Sequence, residues 1–185
     1  MEPSQQPVAL FRAPFSEDSR NSHALLYQAA TRYSGLTADE LGPLVFGPWG
    51  KPAFSGTPSL HASLSHSGSW WVCALSPCPV GLDLQIHRAD APLATLSRRF
   101  FHPREDAYLA GRDYRPFFDL WCAKESYVKF TGQGFHLDPS EFSVVSPKGI
   151  FPRYPGVHLR LLPADPGYSL CLCTACPAEV QWFEL

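Results

Sequence analysis

Apolar positions along the chain recur at two spacings, and the switches between them mark out short elements. Leu25, Leu26, Ala29, Ala30 and Tyr33 share one side of a 3.6-residue repeat. They predict a helix capped by Asn21 or Ser22 and ending near Gly35. Thr37 and Glu40 stand at capping-box spacing and predict a short turn of helix. Residues 47–56, rich in Gly and Pro, read as loop. Apolar runs at 70–75 and 80–86 read as strands, and Ser76-Pro77-Cys78-Pro79 between them predicts a β-hairpin. Beyond Arg88 the helical spacing returns, with Leu93, Leu96 and Phe100 on one face. His102-Pro103 reads as the cap and first residue of a second helix running to about Gly111. A third spans about 116–130 and stops at Thr131-Gly132-Gln133-Gly134. Strands near 142–145, 157–162, 168–175 and 179–183 complete the chain. Helices and strands do not strictly alternate, which predicts an α+β fold. With nineteen prolines and thirteen glycines, long helices and repeats are not expected.

Composition narrows the classes of function. A chain of 185 residues can bury a substantial core, and 45% hydrophobic with 17% charged residues is a globular composition. A formal charge of -2 argues against a nucleic-acid partner held by broad attraction. Residues 1–6 are polar without a basic start, and no run of eighteen apolar residues occurs. A cytoplasmic protein with no membrane span is therefore expected. The six cysteines then read as reduced thiols. Cys171, Cys173 and Cys176 lack a second ligand pair for structural zinc and read as small fillers of a late strand.

Three segments carry candidate chemistry. In Val80-Gly81-Leu82-Asp83-Leu84-Gln85-Ile86, alternation puts Leu82, Leu84 and Ile86 on one face of a strand and Asp83 and Gln85 on the other. A carboxylate beside an amide oxygen suits a hard cation such as magnesium, although an exposed strand face would look the same. In Trp121-Cys122-Ala123-Lys124-Glu125-Ser126-Tyr127-Val128-Lys129, Glu125 and Lys129 are neighbours one helical turn apart. A surface pair would explain them, but Trp121, Tyr127, Val128 and Phe130 leave little of that helix solvated, which points to a site. Ser63-Leu64-Ser65-His66-Ser67-Gly68 reads as a hydroxyl-rich turn able to hold phosphate, or as a plain turn rich in local hydrogen bonds. The Gly-x-Ser-x-Gly elbow of a serine hydrolase is missing.

These segments fall in one order with Trp49-Gly50-Lys51-Pro52 ahead of them and Phe100-Phe101-His102-Pro103-Arg104-Glu105 between the last two. The series resembles the surfactin-type 4'-phosphopantetheinyl transferase family over about residues 49–144. The resemblance implies a pseudo-twofold α+β fold, with similar halves at roughly 1–80 and 81–185 and coenzyme A between them. It implies magnesium, bound by Asp83 and Glu125 with Gln85 and Glu105 nearby. It also implies coenzyme contacts from Lys51, Ser65, His66, Lys124 and Lys129. Glu125 would accept the proton of the attacking serine, and Lys129 would stabilise the leaving phosphate. The partner would be an acyl or peptidyl carrier protein, and the fused halves imply a monomer. Two features depart from the family pattern: Gln85 stands where many relatives carry Glu, and only Arg12, Arg20 and Arg32 precede Lys51. Arg20 or His23 is the candidate for the 3'-phosphate. A relative that binds coenzyme A or a carrier without efficient transfer is the alternative. A magnesium phosphodiesterase would use similar carboxylates but is disfavoured by the near-neutral charge. Arg98, Arg99, Arg104, Arg112 and Arg115 form a candidate docking patch for an acidic carrier.

Overall fold

The first strand, β1 (Val8–Pro14), is buried on both faces, and each face feeds a different core. Ala9, Phe11 and Ala13 pack with Leu26, Ala29 and Ala30 of helix α1 (Ser19–Ser34). Val8 and Leu10 pack the other way, against a second sheet. The computed structural model describes residues 7–15 and 19–185, without the side chains of 19–21 and 135. Helix α1 starts two or three residues ahead of the expected cap. Short helix α2 (Ala38–Leu41) forms as expected, with both capping-box bonds between Thr37 and Glu40 present.

The first sheet continues through β2 (Leu44–Phe46), β3 (Pro52–Phe54), β4 (His61–Ser67) and β5 (Trp70–Ser76). Part of the segment expected as loop at 47–56 is therefore strand. So is most of the segment expected as a serine turn: residues 61–67 form β4, and the turn is confined to Gly68 and Ser69. Buried Trp71 of β5 ties the sheet to α1 by donating its indole N–H to Ser22 Oγ at 2.9 Å.

The second sheet holds β6 (Val80–Ile86), β9 (Arg153–Tyr154), β10 (Val157–Leu161) and β11 (Tyr168–Thr174), in the order β6-β11-β10-β9. The expected β5–β6 hairpin does not form. Strand β5 already has β1 and β4 on its two sides, so β6 finds no free edge and the 77–79 segment carries the chain into the second sheet. Helices α3 (Leu93–Phe100), α4 (Pro103–Ala110) and α5 (Phe117–Thr131) follow β6 as expected. A small β7–β8 pair (Val145–Ser146 with Gly149–Ile150) lies beyond them. The last strand, β12 (Val180–Glu184), returns to the first sheet and pairs parallel with β1.

The layers run α1, first sheet, second sheet, α5. Leu82, Leu84, Leu170 and Leu172 face the first sheet. Cys171 and Cys173 face α5 and fill space among Leu120, Cys122 and Ala123, as the late-strand reading expected. The mixture of sheets and separate helices is the α+β class. No helix among the described residues is long and apolar enough to cross a membrane.

Candidate active site

Asp83 is opposite Cys171 in the β6–β11 register and shares its α5-facing side. Gly81 governs how close that helix comes. A Cβ there would run into the Ser126 carbonyl oxygen and the Phe130 backbone, so only glycine lets α5 lie directly on β6. The close approach brings Lys129 Nζ to 2.7 Å from Asp83 Oδ1. Lys129 also donates to the Leu64 carbonyl of β4 at 3.3 Å, and Ser65 Oγ donates to Asp83 Oδ1 at 2.9 Å. One carboxylate thus gathers a lysine from α5 and a serine from the other sheet.

These groups open onto a cavity of about 360 Å³ walled by Ser65, His66, Asp83, Gln85, Glu125 and Lys129, with Trp121 at one side. Trp121 is held by rings at 5.8–6.2 Å from Phe100, Phe101 and Phe117. A second cavity of about 380 Å³ shares Leu64, Glu125 and Lys129 with the first. Its other walls are mostly apolar and include Phe46, Trp49, Val128 and Leu137. Phe46 and Trp49 are about half exposed, and Trp49 lies against His136 with centroids 3.5 Å apart and ring planes tilted by 40°. The arrangement is a charged chamber joined to an apolar one through Glu125 and Lys129.

The charges in this cleft perturb one another. Burial pushes the Glu125 carboxyl above its ordinary range, and the nearby Asp83 charge pushes it the same way. Lys129 and Lys124 pull it back in part. His66 is held below its usual value by desolvation and by Lys129, so its ring is neutral at pH 7. It stacks on Phe15 at 4.2 Å. Lys51 is pushed down to about 8 by burial. Its ammonium donates to the carbonyls of Val80, Lys129 and Phe130 at 3.0, 2.7 and 3.1 Å. Two of those carbonyls end α5, where a cation complements the helix dipole.

Most residues singled out from the sequence meet here, but not all. Asp83, Gln85, Glu125, Lys129, Ser65 and His66 line one chamber, and Lys51 lines the other. Lys51 spends its protons on backbone carbonyls, so it reaches the chamber chiefly through its stem and its charge. Glu105 and Lys124 line neither chamber. They form an ion pair of 2.7 Å whose side chains are 0% and 2% exposed. Glu105 Oε1 accepts the Val144 N–H, its Oε2 accepts the His102 N–H as part of the α4 capping box, and Lys124 also donates to the Phe142 carbonyl. Glu105 and Lys124 were expected at the metal and at the coenzyme; here both carboxylate oxygens and the ammonium bond within the protein and tie α4 to α5 and to the segment before β7. The side chain of Arg20 lies outside the described residues; His23 lines the apolar chamber. Sequence reasoning did not assign Trp121 to the cleft, nor did it see the roles of Ser63 and Ser67. The period-two spacing of Ser63, Ser65 and Ser67 was the available signal.

The chain is similar to known proteins of one family. The sequence description of the 4'-phosphopantetheinyl transferase superfamily matches residues 79–166, from the start of β6 to the loop before β11. A 4'-phosphopantetheinyl transferase of Bacillus subtilis is 34% identical over 179 residues, covering 87% of this chain and 75% of the relative. The Bacillus subtilis transferase Sfp is 33% identical over 144 residues, covering 70% of this chain and 61% of the relative. A transferase of Bacillus pumilus is 35% identical over 147 residues, covering 74% and 62%. The chain thus spans three quarters of the first relative's length and about three fifths of the other two. The matched span takes in β6 and α5, which carry Asp83, Gln85, Glu125 and Lys129, and the chain belongs to the 4'-phosphopantetheinyl transferase superfamily.

Proposed function

We propose that this chain transfers the 4'-phosphopantetheine arm of coenzyme A to a serine hydroxyl of an apo acyl or peptidyl carrier protein. The observation that carries the reading is the joined pair of chambers, with Glu125 and Lys129 on the wall they share. The serine oxygen attacks the phosphorus that bears the pantetheine arm. The bond from that phosphorus to the bridging oxygen breaks, and adenosine 3',5'-bisphosphate leaves. Glu125, held above the ordinary carboxylate range, is the proton acceptor for the serine hydroxyl. Lys129 offsets charge on the leaving phosphate, and neutral His66 offers a ring N–H to a phosphate oxygen.

Magnesium fits the donor set. Asp83, Gln85 and Glu125 offer two carboxylates and an amide oxygen on one chamber, all hard donors. The Gln85 amide nitrogen is committed to the Ile86 carbonyl at 3.1 Å, which leaves its oxygen as the ligating atom. Among the described residues no three His, Cys, Asp or Glu side chains form a metal-holding group, and the amide oxygen would be the third protein donor beside the two carboxylates. Bound there, the cation would supply charge neutralisation to the pyrophosphate. Without it, Lys129 is the cation on Asp83.

The protein acts as a cytoplasmic monomer in this reading, with its two halves in one chain. Carrier docking falls to the C-terminal end of α3. The Arg99 guanidinium lies 5.0 Å from the Phe100 ring, and Phe100 packs on cleft residue Trp121. Arg98, Arg99, Arg104, Arg112 and Arg115 are all exposed, and Arg112 also donates to the Tyr108 and Pro147 carbonyls.

The neutral Gln85 favours one other reading, a relative that holds coenzyme A without efficient transfer. Intact-mass measurement of an apo carrier incubated with coenzyme A, magnesium and this protein separates the two. A gain of one phosphopantetheine arm, lost in Glu125→Ala, is the expected result. Coenzyme binding with no mass gain on several carriers would establish the weaker relative.

A further inference from the structure

Strand β6 is an edge of its sheet, paired with β11 on one side only. Its other side meets β4 of the first sheet, and serine hydroxyls do there what a neighbouring strand's carbonyls would do. Ser63 Oγ accepts the Leu82 N–H at 2.9 Å, and Ser67 Oγ accepts the Ile86 N–H at 3.0 Å. Both pairs are nineteen residues apart in the chain, so the two strands run side by side in one register. Ser65, between them, turns its hydroxyl to Asp83. At the far end the Ser69 N–H donates to the Tyr168 hydroxyl at 3.2 Å, and Tyr168 is the cross-strand partner of Ile86. Ser63 and Ser65 are 3% and 6% exposed, so the seam is closed to water along most of its length.

This seam joins strands that hold different parts of the cleft. His66 stands on β4; Asp83 and Gln85 stand on β6, and Lys129 reaches across to both strands. We propose that Ser63 and Ser67 are positioning residues of the transferase: their hydroxyls fix β6 against β4, so that a coenzyme gripped by both strands presents its phosphorus squarely to the carrier serine whose proton Glu125 accepts. The inference rests on the function proposed above. Its chemistry is that of buried N–H groups, which need an acceptor and tolerate little displacement from it. A one-residue slip would also turn Asp83 from the chamber to the core.

The test uses a pair of near-isosteric substitutions at Ser67, which is half buried at the end of β4. Ser67→Thr keeps the hydroxyl, and Ser67→Val replaces it with a methyl group of similar bulk. Ser63→Ala provides a second, independent break in the seam. In the full-length protein, amide hydrogen exchange is read at Ile86 and Leu82. Transfer to an apo carrier at saturating coenzyme A is measured well below each variant's unfolding midpoint. Ser67→Val is expected to speed exchange at Ile86 and to lower kcat about ten-fold, since small misplacements of reacting groups are costly. Ser67→Thr is expected to restore both to within about two-fold of the unaltered enzyme. Ser63→Ala should speed exchange at Leu82 with a similar loss of kcat. Faster exchange with kcat unchanged in Ser67→Val and Ser63→Ala would reduce the seam to a structural joint and overturn the proposal. Unchanged exchange would overturn the seam itself. Absence of transfer by the unaltered enzyme would remove the function and the positioning role together, so the two failures are distinguishable.

Discussion

Glu125 and Glu105 are both carboxylates tied to α5, yet their surroundings give them opposite tasks. Glu105 has a partner for each oxygen and lies with Lys124 in the core. Removing one member of such a pair leaves a buried charge, so Lys124→Met alone should cost about 3–5 kcal/mol. The double variant Glu105→Leu with Lys124→Met should recover most of that loss, as denaturant unfolding would show. It should also keep the Michaelis constant for coenzyme A; a large rise would return the pair to the active site. Glu125 lines the cleft, and its carboxyl is raised by burial and by Asp83. For a group raised in the folded state, the stability it contributes is fully present below the unfolded value near 4.3 and is lost as pH rises through the higher folded value. Glu125→Gln removes that loss. With divalent cations chelated, this variant should unfold at a higher temperature than the parent at pH 7, and the gap should close as pH falls below about 4. It should also abolish transfer, the trade expected where function demands a strained charge. A variant less stable than the parent at pH 7 would show that Glu125 is not held under strain. The alternation that put Asp83 and Gln85 on one face was legible in the sequence, because a strand allows only two faces. The pairing of Glu105 with Lys124 was not, although the three-residue step from His102 to Glu105 is capping-box spacing and was a local clue.

At the scale of elements, the helices were legible and the strand pairings were not. Helix α5 announced itself by its spacing and by Gly132, which stands at φ 70° as its cap. Strand β4 was hidden because Ser63, Ser65 and Ser67 are turn formers in isolation; their hydroxyls become strand-compatible only once β6 lies alongside. The β5–β6 hairpin was misread for a related reason, since local turn chemistry cannot reveal that both sides of β5 are already taken. The contact of β6 with α5 depends on one residue. Gly81→Ala must push α5 away from β6, because its methyl group meets backbone rather than a movable side chain. Overpacking of this kind costs about 1–3 kcal/mol. The same shift should lengthen the Lys129–Asp83 contact and lower kcat more than it raises the Michaelis constant for coenzyme A. Kinetics on the folded variant would check this, and unchanged kcat would mean that the spacing of α5 is not what sets the site.

The whole molecule must also bring a second protein to the cleft, and here charge acts over longer range than packing. The net charge of -2 hides a local excess of arginine where α3 ends beside the Trp121 wall. The sequence showed the arginines but spread them over five positions. In the structure all five are exposed; Arg99 lies over Phe100, which packs on Trp121, while the Arg112 guanidinium lies over Tyr108 and bonds to backbone carbonyls. Reversal of Arg98 and Arg99 to Glu should therefore raise the Michaelis constant for an acidic carrier about ten-fold at low salt, and leave that for coenzyme A unchanged. The effect should shrink as ionic strength rises, because exposed charges are screened over about 8 Å at physiological salt. Arg112→Glu is the internal control, expected to change carrier kinetics little. If reversal at 98 and 99 left carrier kinetics untouched, or acted equally at high salt, docking would have to use another face. The exposed Phe46 and Trp49 at the lip of the apolar chamber would be the next surface to test, since both border the same shared wall of Glu125 and Lys129.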